Sequence, residues 1–192
     1  MHNRFDASKK QKLLAEERYE LLQPDQLLRR LGVAEGQTVA DIGCGPGFFT
    51  VPAAQIVGPT GQVLAGDVQG EMLTAVRGRV AEAGLTNVHV VKTSATDVPI
   101  PPGKCDFVLL AFVLHEVEQR ASFVHRLGRL LKPGARLAVL EWEKREEDSG
   151  PPVAIRIDKE ELAADATAAG LRVVECENIN ERQYYCLMER AG

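Results

Sequence analysis

The stretch "VADIGCGPGFFTVPAA", Val39 to Ala54, decides the fold. It sets an apolar run against a helical pattern and puts Gly43, Gly45 and Gly47 between them, three glycines within five residues. Glycine at that density costs backbone order, so it is kept where the chain must take conformations closed to other residues or where a ligand lies directly on the main chain. A parallel sheet binds its ligands beyond the carboxyl ends of its strands, and the first strand normally feeds that crevice. The three glycines leave the first strand at that end.

Outward from this point, strand and helix patterns alternate. "QVLAGDV" reads as a strand, "GEMLTAVRGRVAEAG" as a helix, and "NVHVVKT" and "CDFVLLAF" as strands. A helix over about residues 118–131 meets the stop signal "KPGA" and is followed by a strand, "RLAVLEW". After a charged turn at residues 143–148, a short helix near residues 159–169 leads to the strands "LRVVECE" and "QYYCLMER", which have only "NINER" between them. Parallel neighbours need crossover helices, whereas two strands joined this tightly form an antiparallel hairpin. The expected fold is therefore α/β and doubly wound, a mainly parallel seven-stranded sheet with an antiparallel C-terminal edge hairpin and helices on both faces. Ahead of it, residues 9–31 lack glycine, and Pro24 divides them into two helical segments rich in leucine. Residues 1–34 are expected to form a helical lid or extension and residues 35–192 the binding domain, within one compact body.

Composition narrows the function classes. The 192 residues carry a formal net charge of -4, with a sequence pI near 5.6, so no global basic field exists to hold a phosphate backbone, and no nucleic-acid partner is expected. No stretch reaches the roughly eighteen apolar residues of a membrane span, and the N-terminal residues have no apolar segment. A soluble, cytoplasmic protein is expected. Cys44, Cys105, Cys176 and Cys186 show no CxxC spacing and read as reduced thiols.

The glycine spacing is GxGxG. A dinucleotide site would place a third glycine where Phe48 stands, and a phosphate loop would require GxxxxGK followed by Ser or Thr. An acid, Asp41, precedes the first glycine by two residues, and a second, Asp67, ends the next strand, where a carboxylate accepts hydrogen bonds from both hydroxyls of a ribose. Asp41 could face an amino group or the water around it. Together they suit a nucleoside with a cationic amino-acid tail.

"VADIGCGPG", the strand ending "AGDV", "SATDVPIPPGKCDFVLLAFVLHEV" and "RLLKPGARLAVLEW" resemble, in order, the successive motifs of class I S-adenosylmethionine-dependent methyltransferases, which have a Rossmann-like fold. Within that class the likeness is to small enzymes similar to the ubiquinone and menaquinone biosynthesis methyltransferases. The resemblance implies that Asp41, Gly43, Gly45 and Gly47 surround the methionine part of S-adenosylmethionine, that Asp67 holds its ribose and that Val68 packs on its adenine. Such families often place an acid before the alanine of the loop after the third strand. Here Ser94 stands before Ala95, which leaves the backbone contact at Ala95. Ala111 and Phe112 would sit beside the sulfonium and its methyl group, and S-adenosylhomocysteine would be the product.

A sulfonium already activates its methyl group, so such an enzyme needs alignment of the acceptor and exclusion of water, with proton removal only for some acceptors. His115 in "FVLHEV" lies just past the fourth strand and has the pKa range for that transfer; alternatively, His115 and Glu116 begin a helix or hydrogen-bond the backbone. HExxH is absent, as are an acid cluster for magnesium and an "NPPY"-like segment, so no metal is expected and adenine methylation is disfavoured. Phe5, Arg18, Glu116 and Arg156 are candidate acceptor contacts, with Tyr19, Trp142, Tyr184 and Tyr185 as further aromatic lining. The acceptor is expected to be a small molecule bound at carbon, oxygen or another nucleophile. A monomer and a homodimer both fit. The alternatives are a non-catalytic cofactor-binding or partner-binding member of the same fold and, less well supported, a nucleotide-dependent oxidoreductase.

Overall fold

Side chains along a strand point alternately to opposite faces of the sheet. In β1 (Thr38–Ile42), Val39 joins one apolar cluster while Ala40 and Ile42 join another. In β4 (Cys105–Ala111), Phe107 and Leu109 side with Val39, and Val108 and Leu110 with Ala40. Both faces are apolar, and a sheet of that kind must be covered by helices on both sides. The computed structural model, which describes Asp6 and residues 12–94 and 96–190, has that arrangement.

With β2 (Gln62–Asp67), β3 (Val88–Lys92), β5 (Leu131–Trp142), β6 (Leu171–Asn178) and β7 (Gln183–Arg190), the sheet runs β3-β2-β1-β4-β5-β7-β6. The first five strands of that order pair in parallel, and β7 is antiparallel to both β5 and β6. The order reverses between β1 and β4, which opens a crevice at their carboxyl ends. The expected hairpin is present, and β7 lies inside the sheet, so only β6 forms that edge. One face is covered by α2 (Pro24–Arg30) and α3 (Thr50–Val57) through Leu27, Leu28, Ala53 and Ile56, and the other by α5 (Arg120–Leu130) and α6 (Lys159–Ala168) through Phe123, Leu127, Leu162 and Ala166. The helix α4 (Gly70–Glu82) packs Leu73, Val76 and Val80 on Ala65 of β2.

Pro24 divides the N-terminal segment as expected. Gln23, in a left-handed conformation, ends α1 (Glu16–Leu22), and Pro24 opens α2. Leu22, Leu27, Leu28 and Leu31 lie in the same apolar cluster as β1 and α3, so this part of the extension is continuous with the core. "KPGA" was expected to separate a helix from a strand. Instead Leu131 already pairs with Cys105, and the ladder resumes at Phe107 and Arg136, so the turn is an interruption inside β5. Pro133 has no N–H to give to a ladder. Among the described residues no helix is long and apolar enough to cross a membrane.

Two expectations need correction. Cys176 and Cys186 are joined in a disulfide, while Cys44 and Cys105 are free and buried. The pair has no recognisable spacing in sequence because it is the hairpin register that sets the two residues opposite each other. Tyr184 and Tyr185 belong to an inner strand: the Tyr184 hydroxyl donates to the Ile157 carbonyl at 2.7 Å, the Tyr185 hydroxyl bonds to Glu175, and neither lines a pocket at the crevice.

A reciprocal cap starts α6. Asp158 Oδ1 accepts from the Glu161 N–H at 2.8 Å, and Glu161 Oε2 accepts from the Asp158 N–H at 3.0 Å. Asp158→Ala is expected to cost about 1 kcal/mol, seen as a lower urea midpoint with an unchanged slope.

Candidate cofactor and active site

The glycine loop begins where β1 ends. Gly43 has φ +73°, and a Cβ there would come within 2.4 Å of Val113 Cγ2; at Gly47, φ is +89° and a Cβ would come within 2.7 Å of Val76 Cγ2. At these two positions the bare main chain is required by the protein's own packing. Gly45 differs, because a Cβ there would only touch Leu13 of the N-terminal segment, at 3.6 Å. Packing therefore does not forbid a side chain at Gly45 as it does at Gly43 and Gly47, and its φ of +53° is what favours glycine there.

Two carboxylates hold the loop. The Gly45 N–H donates to Asp67 Oδ2 at 2.9 Å and the Gln69 N–H to Oδ1 at 2.8 Å, which fastens the end of β2 to the loop that leaves β1. Behind the loop, Asp41 is 2% exposed and its Oδ2 accepts from the Thr50 hydroxyl at 2.6 Å. Burial pushes the Asp41 carboxyl up to about 6, against the Thr50 hydrogen bond and with help from the charge of Asp67. Burial also raises Asp67, opposed by its hydrogen bonds from Gln69, Gly45 and Val68 and by Lys92. The Cys44 thiol is pushed up strongly by burial and by both acids, so it stays protonated.

The other expected cofactor positions lie around this clamp. Val68 is half-buried after β2, and its carbonyl accepts from the Lys92 ammonium at 2.5 Å. Ser94 Oγ accepts from the Asp97 N–H at 2.9 Å, which closes its own turn. Ala95 lies outside the described residues. Ala111 ends β4 opposite Leu140, and Phe112 follows with φ +61°, its N–H donating to the Leu140 carbonyl at 2.8 Å. A left-handed aromatic residue is costly, and such outliers gather at functional sites.

Beyond Phe112 the turn Leu114–Glu116 presents His115. His115 Nδ1 lies 2.8 Å from Glu141 Oε2, and its backbone N–H donates to Glu141 Oε1 at 3.2 Å. Glu141, near the end of β5, is fully buried. Burial pulls the imidazole pKa down, but the charge and hydrogen bond of Glu141, with the charge of Glu116, raise it overall above the ordinary histidine value. Sequence reasoning did not find Glu141. Its one signal was a lone acid near the end of the apolar run "RLAVLEW".

A row of rings and cations crosses the strand ends. Arg156 stands 5.5 Å from the Trp142 ring, Trp142 5.7 Å from Phe112, Phe112 5.4 Å from the Arg18 guanidinium, and that guanidinium 4.3 Å from Phe48. Arg156 donates to the carbonyls of Glu143, Arg145, Ser149 and Pro151, so it staples the loop after β5 and has little left for an acceptor. The N-terminal segment lies on the loop: Tyr19 packs on Phe48 at 4.4 Å, and Arg79 of α4 ties the Tyr19 hydroxyl at 2.7 Å to the Gly47 carbonyl at 2.9 Å. Phe5 lies outside the described residues. Thr50 and Arg79, like Glu141, were not visible as site residues because their partners come from other elements.

The methyltransferase domain family matches residues 39–134. The chain belongs to that family. A S-adenosylmethionine-dependent methyltransferase from Aquifex aeolicus is 36% identical, with a TM-score of 0.92 over 96% of this chain and 98% of its own. The ubiquinone/menaquinone biosynthesis C-methyltransferase UbiE of Pseudoalteromonas translucida (strain TAC 125) is 36% identical over 64% of this chain and 49% of its own length. UbiE of Pseudomonas fluorescens (strain SBW25) is 39% identical over 59% and 44%. The chain thus spans about half the length of these two curated relatives.

The methyltransferase domain fits S-adenosylmethionine. Two buried carboxylates flank the loop and favour a cation between them, and the three backbone hydrogen bonds to Asp67 leave its carboxylate one acceptor site for a sugar hydroxyl. The same charges burden the protein without a ligand. Because the Asp41 pKa is raised on folding, its contribution favours the folded state below about pH 4 and is withdrawn as pH rises through about 6. Asp41→Asn keeps an acceptor for Thr50 and removes the charge. Its melting temperature should exceed that of the parent by roughly 5 °C at pH 8, and the gain should vanish near pH 4.

Proposed function

We propose that this methyltransferase domain transfers a methyl group from S-adenosylmethionine to a small-molecule acceptor that must lose a proton to become nucleophilic. The observation that carries the cofactor half of the reading is the Asp67 clamp, which fastens the glycine loop leaving β1 to the carboxylate at the end of β2, the position from which an acid would hold a ribose. Asp41 and the loop would face the methionine moiety, Asp67 the ribose, Val68 and the turn at Ser94 the adenine, and Ala111 and Phe112 the sulfonium. S-adenosylmethionine supplies an electrophilic methyl group on positively charged sulfur.

The His115–Glu141 pair supports the proton-transfer half. With Nδ1–H donated to Glu141, the lone pair of Nε2 is the one free to accept a proton from a hydroxyl or an acidic carbon. Glu141 both fixes that tautomer and makes the imidazole more basic. The N-terminal segment acts as the lid of this site. Its Leu13 and Tyr19 lie on the glycine loop and keep water away from the reacting atoms.

Calorimetry with S-adenosylmethionine, S-adenosylhomocysteine and NAD tests the cofactor; binding of NAD alone would overturn the assignment. Asp67→Ala is expected to lose roughly 1.5 to 3 kcal/mol of S-adenosylmethionine affinity. Release of S-adenosylhomocysteine during incubation with a metabolite mixture reads turnover. His115→Ala should lower that turnover by about 10²- to 10⁴-fold while cofactor affinity holds. The base works only when neutral, so activity is present above the His115 pKa and lost as pH falls through it. In Glu141→Gln the acid limb of the profile should move to lower pH, and an unmoved limb would remove the base role.

A further inference from the structure

We propose that Arg18 is the receptor for a carboxylate on the methyl acceptor, so that the acceptor class is a small planar carboxylic acid; this rests on the reading of the chain as a methyltransferase given above. Arg18 comes from α1 and places its guanidinium between the rings of Phe48, which follows the glycine loop, and Phe112, which follows β4. The group is largely withdrawn from water, and burial brings its pKa down to about 10. Yet no carboxylate among the described residues pairs with it, and its one hydrogen bond among them runs from Nη1 to the Leu13 carbonyl at 2.8 Å.

The neighbouring arginines show how unusual this is. Arg156, at the far end of the same aromatic row, is met by four carbonyls, and Arg79 by the Gly47 carbonyl and the Tyr19 hydroxyl. A guanidinium has five N–H donors, and a buried cation without a counter-charge is costly, so it persists where a ligand completes it. The fork geometry matches a carboxylate, which it can bind through two parallel hydrogen bonds.

Arg18 joins the two halves of the crevice: Phe48 on one side adjoins the glycine loop, and the row of rings on the other runs to the proton-transfer pair. Asp67 marks the cofactor's sugar on the β2 side of the glycine loop, whereas Phe112 leads from Arg18 toward Trp142 and the adjoining Glu141, which holds His115. A flat body lying against Phe112 and Trp142 would have its carboxylate at Arg18 and its ionisable group on the His115 side.

Trp142 is the one tryptophan of the chain and stands in this row, so its fluorescence reports occupancy. The probes are benzoate and its neutral isostere benzamide, titrated into the protein saturated with S-adenosylhomocysteine. Benzoate is expected to bind at least tenfold more tightly than benzamide. Arg18→Gln should abolish that preference, Arg18→Lys should keep part of it, and Arg18→Met should melt no lower than the parent because it removes a half-buried charge that no carboxylate among the described residues pairs. Equal binding of the two probes by the parent, or a preference retained in Arg18→Gln, overturns the proposal. So does an Arg18→Gln protein that loses S-adenosylhomocysteine affinity tenfold while keeping the benzoate preference, which would assign the guanidinium to the cofactor's own carboxylate. A parent protein that binds no S-adenosylhomocysteine would instead defeat the methyltransferase reading itself.

Discussion

The site depends on one hydrogen bond, from the Gly45 N–H to the carboxylate of Asp67. It joins the ends of two adjacent parallel strands and so fixes the loop that the crevice is built around. The bond also keeps a charged group where water is scarce, a cost that hydrogen bonds to the charged form offset only in part. Asp41 repeats the arrangement one layer deeper, with the Thr50 hydroxyl as its partner. The loop therefore lies between two acids, and a cationic ligand lowers the energy of both. Both buried charges cost the empty protein stability.

Topology distributes the remaining work. Because strand order reverses between β1 and β4, the two walls of the crevice are supplied by different halves of the sheet. The first half gives the glycine loop and Asp67. The second gives Phe112, His115, Glu141 and Trp142, and Arg156 holds the loop that follows. The N-terminal segment bridges the two, since Arg18 touches a ring from each side.

The fold was legible because its signals are local. Alternating apolar residues in β1 and β4, glycines at the end of β1 and a short joint before β7 each report on a few neighbouring residues, and all agree with one architecture. What the sequence hid depends on register. Cys176 and Cys186 face each other only because of how β6 meets β7, and Glu141 reaches His115 only because β5 lies beside β4. The glycines show the same limit in reverse. Their spacing pointed to a ligand, but Gly43 and Gly47 are set by Val113 and Val76, and only packing in three dimensions could reveal that. Likewise Arg156 could be named from its place in the chain, but not the four carbonyls that occupy it.

The contact between Gly43 and Val113 reaches beyond the packing of a single loop. Val113 lies between Phe112 and the turn that carries His115, so the glycine loop and that turn touch through one branched side chain. Position 43 can gain volume only if position 113, at the start of the histidine turn, gives it up. Across related genes these two codons should drift together, so that the glycine loop and the histidine turn are inherited as one unit.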